Sequence, residues 1–404
     1  MSHSEKKGGV INFLFENSIF LIVGALTGLI WANLDPESYK HLVHTSLIEN
    51  GLFYDHNISR ATGEKYLSLH YLVNDMLMAL FFAIAGKEVF EATLPGGPLN
   101  NPKQAATPLF ATMGGMIGPA SFYVAGAMVL GKAAEYGNGW AIPCATDIAF
   151  SYMVARIVFG NKHPAIPFLL LLAIADDALG LIILAVFYPT GEIQILWMLL
   201  PVVAFALGTV LKKNKVASFW PYLLGPGIIS WVGFALSGLH PALGLLPIIP
   251  TLPHAHMDKG IFNWEELHLE DTLNRFEHWW KPPVEIVLGL FGLLNAGVVM
   301  SSMGEATFLV LFGLFVGKPL GIFLFGMFSA KVLKFGFSEG MSGKDLFVLG
   351  CAAGIGFTVA LFVSTVAFRP GPIQDAAKMG ALFSFGGAIL TIVMGKVLGV
   401  VKQN

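Results

Sequence analysis

The sequence predicts an all-α integral membrane protein of about twelve transmembrane helices, two of them interrupted. Three observations predict it. Of the 404 residues, 55% are hydrophobic and only 12% charged, and the mean hydropathy is +0.69; a soluble domain is about one quarter charged. Apolar runs near bilayer-spanning length recur from one end of the chain to the other. Lysine and arginine collect on alternate connections, sixteen on one side against six on the other, which by the positive-inside bias puts both termini in the cytoplasm.

The first span, 10–33, follows Lys6 and Lys7 and lacks a small-residue cleavage pattern before Asn33, so it reads as a retained helix. Spans 71–92 and 106–130 come next. Spans 140–159 and 164–188 form a pair joined by one short charged turn. They are followed by 193–211, 219–236 and a short eighth span, 240–251, broken by Pro247 and Pro250. Spans 284–301, 306–330, 345–368 and 376–398 complete a single polytopic domain over 1–404. Two connections are long. The outer one, 34–70, holds a turn signal at Ala61-Thr62-Gly63-Glu64 for a weak hairpin. Its Asn57-Ile58-Ser59 sequon is too short a match to carry meaning. The cytoplasmic one, 251–282, holds His254, His256, His268 and His278 among Glu265, Glu266, Glu270, Asp271 and Glu277. It is either a solvated connector or a proton-responsive cluster. His254-x-His256 lacks further ligands at zinc spacing. Cys144 and Cys351 lie in apolar spans and read as core residues rather than a disulfide. A net charge of −2 says nothing of a nucleic-acid partner, and no basic run suggests one.

Polar residues inside these spans carry the chemistry. Asp147 stands behind Pro143 and Thr146 in the fourth span, and Asp176 and Asp177 are adjacent near the middle of the fifth. A charge at a helix centre costs about 2.5–3.5 kcal/mol on insertion scales, and no packing need explains three of them. Neighbours on a helix project about 100° apart, so one of the adjacent pair faces a water-filled cavity while the other faces a packed helix. Carboxylates that exchange protons near neutrality also ligate hard cations through oxygen. Mutual exclusion at one site, reached alternately from each side, suffices for cation/proton exchange, with Thr146 and freed backbone carbonyls as further ligands. Lys318, in VGKPLG, lies too deep in the tenth span to snorkel and either pairs with an aspartate or gives up its proton. Asp75, Lys87, Glu88 and Glu91 form a second polar set in the second span, a cation funnel or a solvated helix end. His240 sits at the predicted outer interface, as sensor or as plain interfacial residue. Gly354-Ile-Gly356-Phe-Thr358 interrupts the eleventh span as Pro143–Asp147 interrupts the fourth. Paired breaks point to inverted-topology repeats, here about 106–188 and 306–398, around a midplane site.

WAIPCATDIAF, AIADDALGLIILAVFY, LSGLHPALG, FGLLNAGV, GKPLGI and CAAGIGFTVALF, in this order from about Val73 onward, resemble the NhaA-type sodium/proton antiporter family. That resemblance implies two half-helices crossing at mid-membrane in spans 4 and 11. It implies Asp177 as the direct ion ligand and Asp176 as the partner of Lys318. The ion and proton site thus falls on Asp176, Asp177, Thr146 and Asp147, with Na+ held by Asp177, Asp176 and Thr146. Asp147 would balance the helix N-termini and Lys318 the C-termini. Glu88, His240, Glu277 and His278 match positions tied to pH response. The family reading is an electrogenic, pH-regulated exchange of cytoplasmic Na+ (or Li+) for external H+ in a bacterial inner membrane. It needs no cofactor and no catalysed bond change, and the family dimerises through an outer hairpin. Lys281, Cys144, Ala175 and the charge spacing of Lys87–Glu91 depart from the family pattern and bear on pH profile rather than on the ion site. A sodium-coupled solute carrier on the same fold would need a further polar pocket. An intramembrane aspartyl protease using Asp147 and Asp176 finds an echo in Pro241-Ala242-Leu243, but a lysine beside its acids would have no role.

Overall fold

Pro143 and the Gly354-Gly356 pair break their helices where the sequence predicts, and the bundle is arranged around those two breaks. The structure is a computed structural model; it describes residues 18–49, 53–54, 66–254, 271–337 and 339–403. Helix α1 (Ile19–Leu34) is followed by α2 (Pro36–Val43), which starts on a side-chain cap from Asp35 with proline at its first position. Strands β1 (Ser46–Glu49) and β2 (Tyr66–Ser68) pair antiparallel, Ser46 opposite Ser68 and Glu49 opposite Tyr66. The 34–70 connection therefore holds a short helix and a strand pair, and the predicted turn at 61–64 lies outside the described residues. Next come α3 (Leu69–Thr93), α4 (Pro102–Val129), α5 (Ala133–Cys144, ending as a 3₁₀ helix), α6 (Ile148–Phe159) and α7 (Ala165–Phe187). They are followed by α8 (Leu199–Lys213), α9 (220–237), the 3₁₀ pieces of α10 (Pro241–Thr251) and α11 (Thr272–Asn295). Last are α12 (Glu305–Val332), α13 (Gly343–Ala353), α14 (Phe357–Ala367) and α15 (Pro372–Val397).

Among the described residues, α3, α7, α12 and α15 are long and apolar enough to cross a bilayer unaided. The bent pairs α5/α6 and α13/α14, at 57° and 53°, bring the crossings to six. This is a multi-pass helical membrane protein. Four boundaries differ from the sequence reading by six residues or more, the first being the start of α5 at Ala133 rather than 140. Helix α11 begins at Thr272, inside the expected 251–282 connection, because Asp271 caps it by accepting from the Asn274 N–H at 2.8 Å. Pro282 and Pro283 do not stop it. The carbonyls their rings leave without donors are those of His278 and Trp279, both exposed and free to meet water. Helix α8 begins at Leu199 rather than 193, since residues 190–194 are tied to the end of α9 through Thr190 N and Gln194 N, which donate to Gly238 O (2.8 Å) and Ser237 O (2.9 Å). The ninth span ends at Asn295 instead of 301.

Helices α4 and α12 cross in direct backbone contact. A methyl group at Gly321 would overlap the Gly114 carbonyl, and one at Gly118 would overlap the Gly317 carbonyl. Small residues here bring backbones together, as packing between membrane helices requires, and they fix the helix that carries Lys318. Backbone cannot rotate away as a side chain can. Gly321→Val is therefore expected to cost at least about 2–3 kcal/mol, the upper range for overpacking, read as a lower thermal midpoint of the detergent-purified protein. A midpoint equal to the parent's would mean that this crossing does not limit stability.

Candidate functional site

The two breaks lie against each other. The Asp147 N–H donates to the Ile355 carbonyl at 2.7 Å, the Thr146 hydroxyl to the Ala353 carbonyl at 3.3 Å and the Ser151 hydroxyl to the Ala352 carbonyl at 2.8 Å. A side chain at Gly356 would press on the Ala145 carbonyl. Unwound backbone inside a membrane protein must find such partners, because lipid offers none.

One carboxylate serves two helix starts. Asp147 is the N-cap of α6, with Oδ1 accepting from the Phe150 N–H at 3.4 Å. Its Oδ2 accepts from the Thr358 N–H at 3.2 Å and from the Thr358 hydroxyl, in the first turn of α14. Negative charge thus sits where two helix dipoles present their positive ends. The opposite sign is met by Lys318. Its ammonium donates to the carbonyl of Cys144, the last residue of α5, and lies 3.0 Å from Asp176 Oδ2. Lys318 is fully buried and Asp176 2% exposed. A π-turn over Gly313–Gly317 directly precedes the lysine. Such wide turns are frequent at functional sites, and no composition signal announces them.

Asp177 points elsewhere. It lines a cavity of about 260 Å³ together with Thr146, Asp147, Thr358, Glu88 and Glu285. The adjacent carboxylates therefore divide as the helical projection predicts, one onto a packed lysine and one onto a cavity.

The remaining sequence-predicted residues are placed as follows. Glu88 is on the cavity wall. Glu277 stands beside it in a charge cluster: the Lys87 ammonium reaches Glu277 at 2.5 Å and also binds Glu91, while Lys281 stands 3.9 Å from Glu277. His278 is exposed on the outside of α11 and is not brought to the cavity. His240 is buried in the opposite half, 5% exposed, with Nδ1 accepting from the Ala242 N–H and 3.7 Å from Asp75 Oδ1. Packing of its ring against Phe362 at 4.9 Å accounts for the burial. His256 and His268 lie outside the described residues. Cys144 and Cys351 are free and buried.

Three participants escape sequence reasoning. Thr358 is visible in the Gly-x-Gly-Phe-Thr break but not as a partner of Asp147. Ser151 carries no signal apart from its distance from the break. Glu285 stands within an apolar run and passes for a helix-end residue when the span is started at 284.

The chain matches the family model described as "Na+/H+ antiporter 1" over residues 11–401. It is 55% identical to the Na(+)/H(+) antiporter NhaA of Jannaschia sp., covering 98% of this chain and 99% of the relative. It is 47% identical to that of Desulfitobacterium hafniense, covering 97% of each, and 44% identical to that of Geotalea uraniireducens, covering 98% of each. Crossed breaks, a buried lysine–aspartate pair and similarity along nearly the whole length agree, and the chain belongs to the Na+/H+ antiporter 1 family.

Proposed function

We propose that this protein exchanges Na+ or Li+ for H+ across a bacterial inner membrane, with ion and protons competing for the carboxylates at the crossed breaks. The observation that carries the reading is the division of the adjacent aspartates. Asp177 is open to a cavity, with Thr146 on the same wall, and Asp176 is held behind it by Lys318. A cation at Asp177 displaces protons, because the same oxygens cannot serve both. Asp147 is committed to two helix starts and acts by holding the breaks in register. More than one proton can leave two carboxylates for each cation bound, so exchange is electrogenic. The full count of twelve spans, the inverted repeats over about 106–188 and 306–398, and cytoplasmic termini belong to this reading, supported by the paired breaks and the charge bias. The cluster of Lys87, Glu91 and Glu277 beside Glu88 supports a pH-responsive mouth. No bond is made or broken, and no cofactor is required.

The test is Na+-induced collapse of a pH gradient in proteoliposomes between about pH 6.5 and 9, with Li+ and K+ for comparison. Collapse with Na+ and Li+, faster when a permeant ion clears the membrane potential, is the expected result. No signal at any pH from folded protein would remove the exchanger and bring forward a sodium-coupled solute carrier.

We further propose a homodimer joined through β1, whose four residues are all exposed and whose outer edge pairs with no other strand among the described residues. Ile48→Pro removes a backbone donor from β1 and is expected to convert a dimer to a monomer by light scattering on a sizing column. A dimer that persists would exclude this edge.

A further inference from the structure

Glu285 is on the wall of the Asp177 cavity, one turn beyond Lys281 on α11. It is 9% exposed. Its Oε1 accepts from the Ser18 hydroxyl at 3.3 Å, while Oε2 is buried and meets no donor among the described residues. A carboxylate oxygen buried without a donor is costly, and no cap or ion pair explains this one. Among the described residues, Lys281 is the only lysine or arginine on the cavity wall. Its side chain is 57% exposed and leans toward Glu277 at 3.9 Å. The other carboxylates of the wall are accounted for differently: Asp147 is saturated by the starts of α6 and α14, and Glu88 adjoins the Lys87 cluster.

We propose that Glu285, with Ser18, forms a second cation position in this cavity, at which Na+ or Li+ is held, still partly hydrated, on its way to Asp177. The inference rests on the exchange reading. A cavity of about 260 Å³ holds several waters at about 30 Å³ each, so an ion there keeps part of its shell and needs few protein ligands. No three His, Cys, Asp or Glu side chains converge among the described residues, and a single carboxylate with a hydroxyl suits a hydrated monovalent ion rather than a dehydrated divalent one. Low-dielectric walls focus the field of the carboxylate and raise the local cation concentration. The arriving ion supplies a counter-charge to the Glu285 carboxylate.

Two readouts test this. In proteoliposomes, Glu285→Gln is expected to raise the apparent KM for Na+ about three- to tenfold, the range of one carboxylate acting through partly hydrated space, without a matching fall in the rate at saturating Na+. Glu285→Asp, which keeps the charge, should restore most of the affinity and shows that packing is not the cause. An unchanged KM in a folded Glu285→Gln protein overturns the proposal. The second readout is stabilisation by NaCl over choline chloride at equal ionic strength, measured in Asp177→Asn. Stabilisation that persists there and disappears in Asp177→Asn/Glu285→Gln supports the second position. Its absence from the single variant, or its survival in the double, overturns it. Should the parent fail to exchange ions at all, the exchange reading falls, and the stabilisation measurement still decides whether Glu285 binds a cation.

Discussion

Asp177→Asn is expected to reduce Na+-driven proton release at least about 100-fold while leaving the protein folded. Asparagine keeps the size and one carbonyl oxygen but loses the charge and the titratable proton together. Each 1.4 kcal/mol of lost cation affinity is a factor of ten, so forfeiting about 3 kcal/mol of charge–ligand attraction suffices. The exchange itself suffers more, because an amide cannot carry the proton back. The fold should tolerate the change. Asp177 lines the cavity, and no hydrogen bond of its side chain to another described residue ties the bundle together, so its neutralisation leaves packing intact and removes a repulsive neighbour of Asp176. The measurement is the initial rate of pH-gradient collapse against Na+ concentration for the variant and the parent, with the thermal midpoint as the control. A variant that exchanges at even one tenth of the parental rate would move the ion site to Asp176 or Asp147. Asp176→Asn is the instructive comparison: it leaves the cavity carboxylate but strips Lys318 of its counter-charge, so its defect should appear in stability as well as in rate.

Much of this site is legible in the amino-acid sequence, because charge in an apolar span is costly and has few explanations. Asp147, Asp176, Asp177 and Lys318 each stand out that way, and the 100° step between neighbours correctly separates Asp176 from Asp177. Proline and glycine locate both breaks. What sequence does not carry is who meets whom across the crossing. That one carboxylate caps both α6 and α14 depends on the meeting of segments some 210 residues apart, of which local sequence holds no trace. The start of α11 is hidden because Pro282-Pro283 looks like a stop, whereas exposure of the turn before it lets water satisfy the freed carbonyls. Glu285 is hidden with that boundary. Lys87 stands out only as one charge among several, since its pairing with Glu277 on α11 joins distant helices. His278, matched by position alone, points to solvent.

Lys318→Met is expected to destabilise the protein by about 3–5 kcal/mol, the usual result of removing one partner from a buried ion pair. Two groups are orphaned at once: Asp176 loses its counter-charge at 3.0 Å, and the Cys144 carbonyl at the end of α5 loses its donor. Methionine fills nearly the same volume and has no charge to bury, so the loss is electrostatic rather than a cavity effect. Asp176 could relieve itself by taking up a proton, which caps the penalty and makes the deficit largest at high pH. The second-site variant separates these terms. Lys318→Met/Asp176→Leu removes both charges and should recover most of the lost stability, since replacing a whole buried pair by apolar residues is often neutral; what remains missing is the share due to the Cys144 carbonyl. The check is thermal midpoints of the parent, both single variants and the double, in one detergent at two pH values. A double variant no more stable than Lys318→Met would mean that the lysine supports the α5 end and not Asp176. The same set bears on transport. If Lys318 only pairs, Lys318→Met with its aspartate intact still exchanges, at a shifted pH and with a membrane-potential dependence like the parent's. If the lysine itself carries a proton, that dependence disappears.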